Sequence, residues 1–453
     1  MDSPGGILWP RLLSPRAATV RWILERMART ERQAPAAREA SQMVQLRALL
    51  IHAMNQVPFY RERLSAAGFR PDRPLTREVW DAIPILTRQE VQANADSLKA
   101  RAIPTGHAPV RESTTSGSTG IPLRVLKTAV SGLFWDAVTA REILWHERDL
   151  SRPWHSIRFV KDLSAQFPEG SKSDTWGRVA AVLGATGGGF GLNIMTDPGD
   201  QIDWLQRNPP NYLLTYPSNL QSLLDETRSH GRLFPELHQI ITIAESVSPG
   251  LREQCREQWG AQICDVYSAT EVGYMAVQAP KGDHYLVPDE VVRVEILDDA
   301  DSPVGPGEIG RVVATPLHNF AMPLIRYAVG DYAERGDRSP CGRTLPVINQ
   351  ILGRVRNMLW YPDGRKTWPL FSDRRFRDFA PVRQFRVIQR TIDSLELQIA
   401  ADRGLNAGER EALAQVLRES INYPFEITVT EHAEIARSAG GKYEDFRNEV
   451  SPA

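Results

Sequence analysis

Hydroxyl residues and glycines fill one short segment, Ser113-Thr114-Thr115-Ser116-Gly117-Ser118-Thr119-Gly120, which is followed by Ile121-Pro122. Glycine lets a backbone approach a ligand closely, and the hydroxyl and N–H groups of such a loop can all direct donors at one anion. A plain Ser/Thr/Gly linker has the same composition, because such clusters usually mark loops. The familiar phosphate-binding loop ends in a lysine, whereas Ile121-Pro122 stands at that place here. A phosphate site at this segment therefore needs a cation from elsewhere in the chain.

Four later segments carry side chains that suit a nucleotide and its metal ion. The hydroxyl of Thr270 can contact a phosphate, and the carboxylate of Glu271 can hold Mg²⁺, which prefers oxygen ligands. Asp331 follows a glycine and can accept both hydroxyls of a ribose, and Arg354 can reach the same nucleotide. Lys442 follows two glycines near the C-terminus and is a point charge on a flexible stem. Taken singly, these positions are also typical of a polar strand end, an Asx turn, a surface ion pair or a solvated lysine.

Hydrophobic periodicity indicates the elements that must position these residues. From about residue 157, short apolar runs alternate with helical patterns, which is typical of a parallel α/β sheet. Ligands of such sheets bind beyond the carboxyl ends of the strands, where Ala244-Glu245-Ser246 and Ser268-Ala269-Thr270-Glu271 both fall. The predicted strands are 212–217, 240–244 and 263–267, and the predicted helices between them are 220–229 and 251–259.

The whole pattern predicts an α/β chain of two domains. Residues 1–352 are expected to form a large N-terminal domain with parallel or mixed sheets flanked by helices. Residues 353–453 are expected to form a small α+β domain that carries Lys442. Within these domains the sequence predicts a helical extension over about 1–105, a helix over most of 125–149, a β-rich subdomain over 291–335, strands at 384–389, 395–400 and 426–430, and a helix at 407–421.

Composition narrows the class of protein. With 42% hydrophobic and 24% charged residues, the 453-residue chain has the composition of a soluble protein of more than one domain. A formal net charge of -1 without a polybasic block favours neither nucleic acid nor a membrane surface as partner. No apolar stretch is long enough to cross a bilayer, no secretory signal is recognisable, and three cysteines are too few for a disulfide framework. We expect a cytoplasmic monomer or homodimer.

The order and spacing of the five polar segments resemble the adenylate-forming ligases. Within that superfamily they resemble the phenylacetate–CoA ligase-like family, including its members from capsule biosynthesis. Residues 49–61 and 83–88 also look like this family, whereas about the first 40 residues do not. The resemblance thus covers roughly residues 40 to 453 and implies an ATP-dependent enzyme. It also implies that the domain formed by residues 1–352 binds ATP and the carboxylate, and that residues 353–453 form a mobile lid that carries Lys442.

The resemblance implies a role for each matching residue. The leaving pyrophosphate would be bound by Thr115, Ser116, Gly117, Ser118, Thr119 and Gly120. The nucleotide would further be contacted by Ala244, Glu245 and Ser246 at the adenine, by Tyr267, by Thr270 at the α-phosphate, and by Asp331 and Arg354 at the ribose. Glu271 would hold Mg²⁺, and Lys442 would bridge the attacking carboxylate and the α-phosphate. The acyl group would lie near Tyr216, Ser218, Ala244 and Gly273.

The implied reaction forms an acyl-adenylate, releases pyrophosphate and transfers the acyl group to an acceptor. Two acceptors are compatible with the sequence: CoA, in an AMP-forming acid–thiol ligase, or an amine, in an amide ligase of polysaccharide or natural-product biosynthesis. The loop 361–369 bears on this choice, because Lys366 and Trp368 could obstruct a pantetheine arm or contact another acceptor. A non-catalytic nucleotide-binding scaffold is the third possibility. The expected cofactors are ATP and Mg²⁺.

Zinc is not expected. Some relatives carry a structural zinc site with cysteines near 278–284 and a Cys-x-Cys near 340. This chain has His284 and Cys341, but Gln278 and Ser339 occupy the other two places. A structural zinc ion normally takes four ligands, so two are not enough.

Overall fold

The structure is a computed structural model, and it describes residues 13–115, 122–228, 234–354, 358–369, 371, 373–436 and 443–450. The described helices are α1 (Pro15–Thr30), α2 (Pro35–Gln56), α3 (Tyr60–Ala66), α4 (Arg77–Asp81), α5 (Arg88–Ala93), α6 (Ala129–Trp145), α7 (Ala180–Leu183), α8 (Pro198–Arg207), α9 (Pro217–Glu226), α10 (Pro249–Trp259), α11 (Asp373–Arg377) and α12 (Ala407–Ile421). The first ten strands are β1 (Val110–Thr114), β2 (Arg124–Thr128), β3 (Trp154–Arg158), β4 (Ser171–Ser173), β5 (Gly189–Asn193), β6 (Tyr212–Thr215), β7 (Gln239–Ile243), β8 (Gln262–Ala269), β9 (Gly273–Gln278) and β10 (Tyr285–Leu286). The remaining strands are β11 (Val292–Leu297), β12 (Ile309–Pro316), β13 (Tyr327–Arg335), β14 (Val347–Arg354), β15 (Leu359–Trp360), β16 (Lys366–Thr367), β17 (Val382–Gln389), β18 (Ser394–Ala401), β19 (Glu426–Glu431) and β20 (Phe446–Asn448).

A twelve-stranded mixed sheet dominates the described chain, with the strand order β11-β12-β13-β14-β10-β9-β8-β7-β6-β3-β5-β4. Strands β5, β3, β6, β7 and β8 are parallel neighbours, while the β-rich part from β9 to β14 is antiparallel. Parallel strands need covered faces, and a core cluster packs β3, β5, β6, β7 and β8 against helices α8, α9 and α10. The α/β fold class predicted from the sequence is confirmed.

Local capping explains how the chain leaves β7 for α10 beside the predicted adenine residues. The hydroxyl of Ser248 accepts a hydrogen bond of 3.1 Å from the N–H of Leu251, which satisfies one orphan donor at the start of α10. The helix ends at Trp259, and the capping residue Gly260 has a left-handed φ of 67°. Residues Ala244-Glu245-Ser246 therefore lie in a short turn between the carboxyl end of β7 and the capped helix.

The helix predicted over most of 125–149 is confirmed over Ala129–Trp145, but the first residues of that segment form a strand. The sequence predicts a helix over most of 125–149, but Arg124–Thr128 forms strand β2, which pairs antiparallel with β1. Helix α6 begins only at Ala129, where the Thr128 hydroxyl accepts a hydrogen bond from the N–H of Ser131. Pairing with β1 stabilises the strand against the local preference for a helix. The prediction could not include this effect, because hydrophobic periodicity within one segment carries no information about cross-strand contacts.

The C-terminal part has its own sheet and core. Strands β19, β18, β17 and β20 form a four-stranded sheet, and α12 packs on it through Leu413, Val416 and Leu417. The predicted strands and helix of this region match the observed ones to within two residues at either end. The domain boundary predicted between residues 352 and 353 stays a prediction. Strand β14 of the large sheet extends two residues beyond it and ends at Arg354. None of the described helices is long and apolar enough to cross a membrane.

Candidate active site

One cleft collects most of the predicted site residues. It has a volume of about 1830 Å³ and lies at the carboxyl ends of the parallel strands. The predicted residues that line it are Thr115, Tyr216, Ser218, Ala244, Glu245, Ser246, Tyr267, Thr270, Glu271, Asp331 and Arg354. Gly273 is not part of the lining, and residues 116–120 and Lys442 lie outside the described residues. Tyr443, which directly follows Lys442, does line the cleft.

Thr115 and Glu271 are connected by an arginine that sequence reasoning did not select. Arg88 forms an ion pair of 3.0 Å with Glu271 Oε1, and its other terminal nitrogen donates to the hydroxyl of Thr115 over 3.3 Å. Thr115 is held in turn by Leu123, whose N–H donates to the same hydroxyl over 2.9 Å. The base of the glycine-rich loop and the predicted metal ligand are therefore fixed to each other. Only the tertiary structure reveals this, because Arg88 begins the short helix α5, far away in sequence.

Asp331 is positioned by two neighbours. The Tyr267 hydroxyl donates to Asp331 Oδ2 over 2.8 Å, and Arg354 Nε lies 3.5 Å from Oδ1. Asp331 and Arg354 are direct partners in the register of β13 and β14, so their proximity is a property of the sheet. Burial, followed by the charge of Asp331, raises the pKa of Tyr267 well above its usual value, so the phenol stays a donor. An ionised carboxylate has roughly four lone-pair sites and can therefore accept several hydrogen bonds at once.

Glu245 connects the sheet to the segment that adjoins Lys442. Its Oε2 accepts a hydrogen bond of 2.9 Å from the N–H of Ser218, and its Oε1 accepts one of 2.8 Å from the N–H of Tyr443. The preceding residue, Ala244, has a φ of 73°, which is unusual for a residue other than glycine. The backbone thus adopts a costly conformation where Glu245 makes these bonds. Glu245 is predicted to lie at the adenine, and its observed hydrogen bonds include those from the N–H groups of Ser218 and Tyr443.

A second cation, Lys127, lines the cleft beside Arg88 and Glu271. It is half-buried on β2, and burial lowers the pKa of its ammonium, an effect that the charge of Glu271 opposes. No hydrogen bond or ion pair to Lys127 is recorded among the described residues. The sequence prediction missed Lys127 because 125–149 was interpreted as a helix. In a strand, alternation places Lys127 on the same face as the buried Val125.

Aromatic side chains close the side of the cleft near Gly273. A Cβ on Gly273 would lie 3.9 Å from the ring of Trp135, and the residue has a φ of 101°. The rings of Trp135 and Tyr274 lie 4.3 Å apart, and the Tyr274 hydroxyl is 3.0 Å from that of Thr139. Gly273 therefore leaves space under an aromatic wall rather than lining the cleft itself. Both aromatic residues line the cleft, and the sequence prediction did not place them there.

The unusual loop 361–369 is positioned partly at the cleft. Trp368 lines the cleft, its ring lies 5.0 Å from that of Tyr332, and its indole nitrogen donates to the carbonyl of Arg354 over 3.3 Å. Lys366 is not in the cleft lining; its ammonium lies 5.0 Å from the ring centroid of Trp360. Of the two residues predicted to affect the acceptor, only Trp368 is in place to do so.

The positions compared with a structural zinc site do lie close together. His284 Nε2 is 2.7 Å from the hydroxyl of Ser339, which donates to Cys341 Sγ over 2.9 Å. Gln278 instead makes hydrogen bonds to Arg252, to the N–H of Asp265 and to the carbonyl of Gly282. Hydroxyl and amide groups thus stand where cysteines would be needed.

Comparison with known proteins defines the class. The AMP-binding enzyme family matches residues 34–317. This match covers more than half of the chain, so the chain belongs to the AMP-binding enzymes, and the predicted adenylate-forming enzyme is confirmed. The predicted resemblance to phenylacetate–CoA ligases is confirmed by individual relatives.

Individual relatives agree with this assignment. The phenylacetate-coenzyme A ligase of Thermus thermophilus is 25% identical over 443 residues, which cover 89% of this chain and 94% of that protein. The Escherichia coli phenylacetate-coenzyme A ligase is 25% identical over 386 residues, covering 80% and 82%. The crystal structure of 2-hydroxyisobutyryl-CoA ligase in its postadenylation state superposes with a TM-score of 0.72 at 21% identity, covering 93% of this chain and 92% of that chain. The latter likeness shows a shared fold.

Proposed function

We propose that this chain activates a carboxylic acid with ATP, releases pyrophosphate and transfers the resulting acyl group from AMP to CoA. The observation that carries the proposal is the convergence of distant segments on one cleft, namely Thr115, Glu271, Asp331, Arg354 and Tyr443. The names of the relatives support CoA as acceptor, since they are phenylacetate-coenzyme A ligases. A solved structure of 2-hydroxyisobutyryl-CoA ligase in complex with its adenylate and CoA supports it further.

The chemistry needs two displacements. A carboxylate is a poor acylating group because its leaving group would be oxide, so one of its oxygens first attacks the α-phosphorus of ATP. The bond from that phosphorus to the bridging oxygen breaks, and pyrophosphate leaves with the electron pair. The CoA thiol then loses its proton and attacks the acyl carbon, and AMP leaves. Charge stabilisation by fixed donors and cations is the largest contribution that a protein makes to such steps.

We assign each residue of the cleft to one part of ATP or of the carboxylic acid. Thr115 with the loop 116–120 binds the phosphates that become pyrophosphate, and Asp331, oriented by Tyr267, accepts the ribose hydroxyls. Lys442 contacts the attacking carboxylate and the α-phosphate. The bond from Tyr443 to Glu245 supports this role, because it holds the residue next to Lys442 at the cleft.

Glu271 fits the proposed Mg²⁺. Arg88 and Tyr327 both approach its Oε1, at 3.0 and 3.5 Å, and within the described part of the chain no hydrogen bond to Oε2 is recorded. Oε2 is thus available to a metal ion, and one or two carboxylates plus phosphate oxygens are the usual Mg²⁺ ligands. A bound Mg²⁺ would neutralise charge on the phosphates. Arg88 fixes the carboxylate from the other side.

Lys127 is expected to supply the cation that the loop lacks after Gly120. Changing Lys127→Met should slow pyrophosphate release about 100-fold, in the range found when one preorganised donor to a developing charge is removed. Because only the ammonium form acts, wild-type activity should fall as pH rises through the lowered pKa of Lys127. Lys127→Arg should keep activity to higher pH. The measurement is the pH profile of pyrophosphate release at saturating acid.

Arg124→Met is the matched control for Lys127. Arg124 lies on the same strand, but its side chain is 76% exposed and it is not in the cleft lining. This variant should release pyrophosphate at the wild-type rate. Equal rates for Lys127→Met and wild type, or identical alkaline limbs for Lys127→Arg and wild type, would contradict the role of Lys127.

An ion pair between helices α9 and α11 is expected to favour the arrangement that brings residue 443 to Glu245. Arg377 lies 2.7 Å from Asp225, and both side chains are largely buried. Arg377→Met should lower the rate of pyrophosphate release by roughly fivefold, as loss of about 1 kcal/mol predicts, and leave transfer from preformed acyl-AMP unchanged. Arg375→Met, which removes a pair with Glu419 within the C-terminal part, is the control. Equal effects of both variants on pyrophosphate release would count against this prediction.

The choice of acceptor is tested on the isolated acyl-adenylate. The enzyme is given acyl-AMP with CoA or with a panel of amines, and the products are identified by mass spectrometry. We expect the thioester and AMP. Formation of an amide without any thioester would overturn CoA as acceptor and leave the proposed adenylation intact. Trp368, which lines the cleft, would then be the residue expected to obstruct a pantetheine arm.

A further inference from the structure

The cleft extends well beyond the residues assigned to ATP and the acyl carbonyl. Its volume of about 1830 Å³ is larger than the roughly 300–1,000 Å³ that usually holds one small ligand. The additional space includes a region that we call the basic arm. Its defining residues are Trp154, Arg158, Lys161, Lys172, Trp176 and Arg178, all of which line the cleft.

The basic arm lies at a defined distance from the proposed bond-forming centre. Ala244 follows the end of β7, and the sheet continues from there through β6, β3, β5 and β4. The arm is built on β3, β4 and the segments next to them. With neighbouring strands about 4.8 Å apart, β3 is roughly 10 Å and β4 roughly 19 Å from β7. A small acyl group beside Ala244 would not fill this region.

The basic arm carries a local excess of positive charge, although the chain as a whole is close to neutral. Four cations line it, and none of the described residues between 154 and 191 that line the cleft is acidic, whereas the chain has a formal net charge of -1. Arg178 shares Asp136 with Arg16, at 3.3 and 2.7 Å. Ion pairs of Arg158 or Lys161 are not recorded within the described chain, and both are exposed to the cleft. A cleft with one sign of charge concentrates ligands of the opposite sign.

Aromatic rings also line the basic arm. The rings of Trp154 and Trp176 lie 5.4 Å apart in the cleft lining, and the buried ring of Tyr212, outside that lining, packs 5.3 Å from Trp176. Phe159, next to Arg158, is 37% exposed. Rings of this size offer large apolar faces to a planar or ring-shaped group.

We propose that the basic arm binds an anionic group, carboxylate or phosphate, that is attached to a ring-containing part of a ligand roughly 10–19 Å from Ala244. The inference rests on the proposed function and extends it to a second binding region. The anion has two possible carriers: the distal end of the carboxylic acid, or the nucleotide end of the acceptor CoA. Both place a charged group far from the atoms that react.

The test uses the triple variant Arg158→Met, Lys161→Met, Lys172→Met, with Lys281→Met as control. Lys281 is exposed and is not in the cleft lining. One arm of the experiment compares CoA with dephospho-CoA, which lacks the 3′-phosphate, in transfer from preformed acyl-AMP. The other arm compares acids with and without a second anionic group in pyrophosphate release. Loss of three exposed cations predicts a roughly tenfold higher KM of the triple variant for the more highly charged member of one comparison.

The outcomes identify the carrier or refute the site. A raised KM for CoA but not for dephospho-CoA assigns the anion to the acceptor, and a raised KM only for the acid with two anionic groups assigns it to the acid. The affected KM should also rise with salt more steeply in wild type than in the triple variant, since screening weakens exposed charges. Unchanged values in both comparisons would overturn the proposal. A wild type that releases no pyrophosphate would instead overturn the proposed function. Equal calorimetric affinities of wild type and triple variant, both for CoA and for the acids with two anionic groups, would then refute the basic arm.

Discussion

Replacing Lys442 by alanine is expected to reduce ATP-dependent adenylate formation by about 100- to 1,000-fold, because a positioned cation no longer meets the charge that develops on the α-phosphate. The loss should be confined to the first half-reaction. Transfer from preformed acyl-AMP to CoA should proceed at close to the wild-type rate, because that step makes no use of the lysine. Pyrophosphate release measures the first step, and thioester formation from synthetic acyl-AMP measures the second.

Lys366→Ala is the matched control for Lys442. Lys366 is exposed, is not in the cleft lining and contacts the ring of Trp360 instead. Both half-reactions should be nearly unchanged in this variant. Equal losses of both half-reactions in Lys442→Ala would show that the residue acts on the stability of the protein rather than on adenylation.

Replacing Glu271 by glutamine is expected to have an effect of similar size by a different route. The amide keeps the shape of the side chain but loses the charge that would hold Mg²⁺, and Arg88 loses its ion pair of 3.0 Å. Pyrophosphate release should fall about 100- to 1,000-fold, and the Mg²⁺ concentration for half-maximal rate should rise. The second readout separates a metal ligand from a residue that only orients Arg88.

Arg88→Met completes the test of Glu271, because it removes the arginine and keeps the carboxylate. If Glu271 holds the metal ion, this variant should be slower without needing more Mg²⁺. Glu112→Gln, an exposed glutamate on β1, should behave like wild type. A Mg²⁺ dependence that stays the same in Glu271→Gln would contradict the assignment of this residue as the metal ligand.

The positions of the site residues could be predicted from the sequence where they follow a regular element. Thr270 and Glu271 come after the buried strand β8, and Ala244 comes after β7. Strand ends of a parallel sheet meet at one edge, so local periodicity is enough to predict that these residues lie together, and all three line the cleft.

Residues whose position depends on tertiary pairing could not be predicted in this way. The local sequence around Lys127 predicts a helix, whereas the segment forms a strand because it pairs with β1. Arg88 contacts Glu271, which lies 183 residues away in the sequence. The aromatic wall formed by Trp135 and Tyr274 also joins two elements. Nothing in the local sequence encodes such contacts, because they depend on how helices and strands pack.

Acid-dependent pyrophosphate release tests the central claim most directly. Purified protein is incubated with ATP, Mg²⁺ and a panel of aromatic, aliphatic and amino acids, without any acceptor, and both pyrophosphate and acyl-AMP are quantified. We expect at least one acid to give pyrophosphate and its acyl-adenylate in equal amounts, and Lys442→Ala to form both about 100- to 1,000-fold more slowly. Binding of ATP without pyrophosphate for any acid, or release of ADP and phosphate instead, would contradict the proposed adenylation.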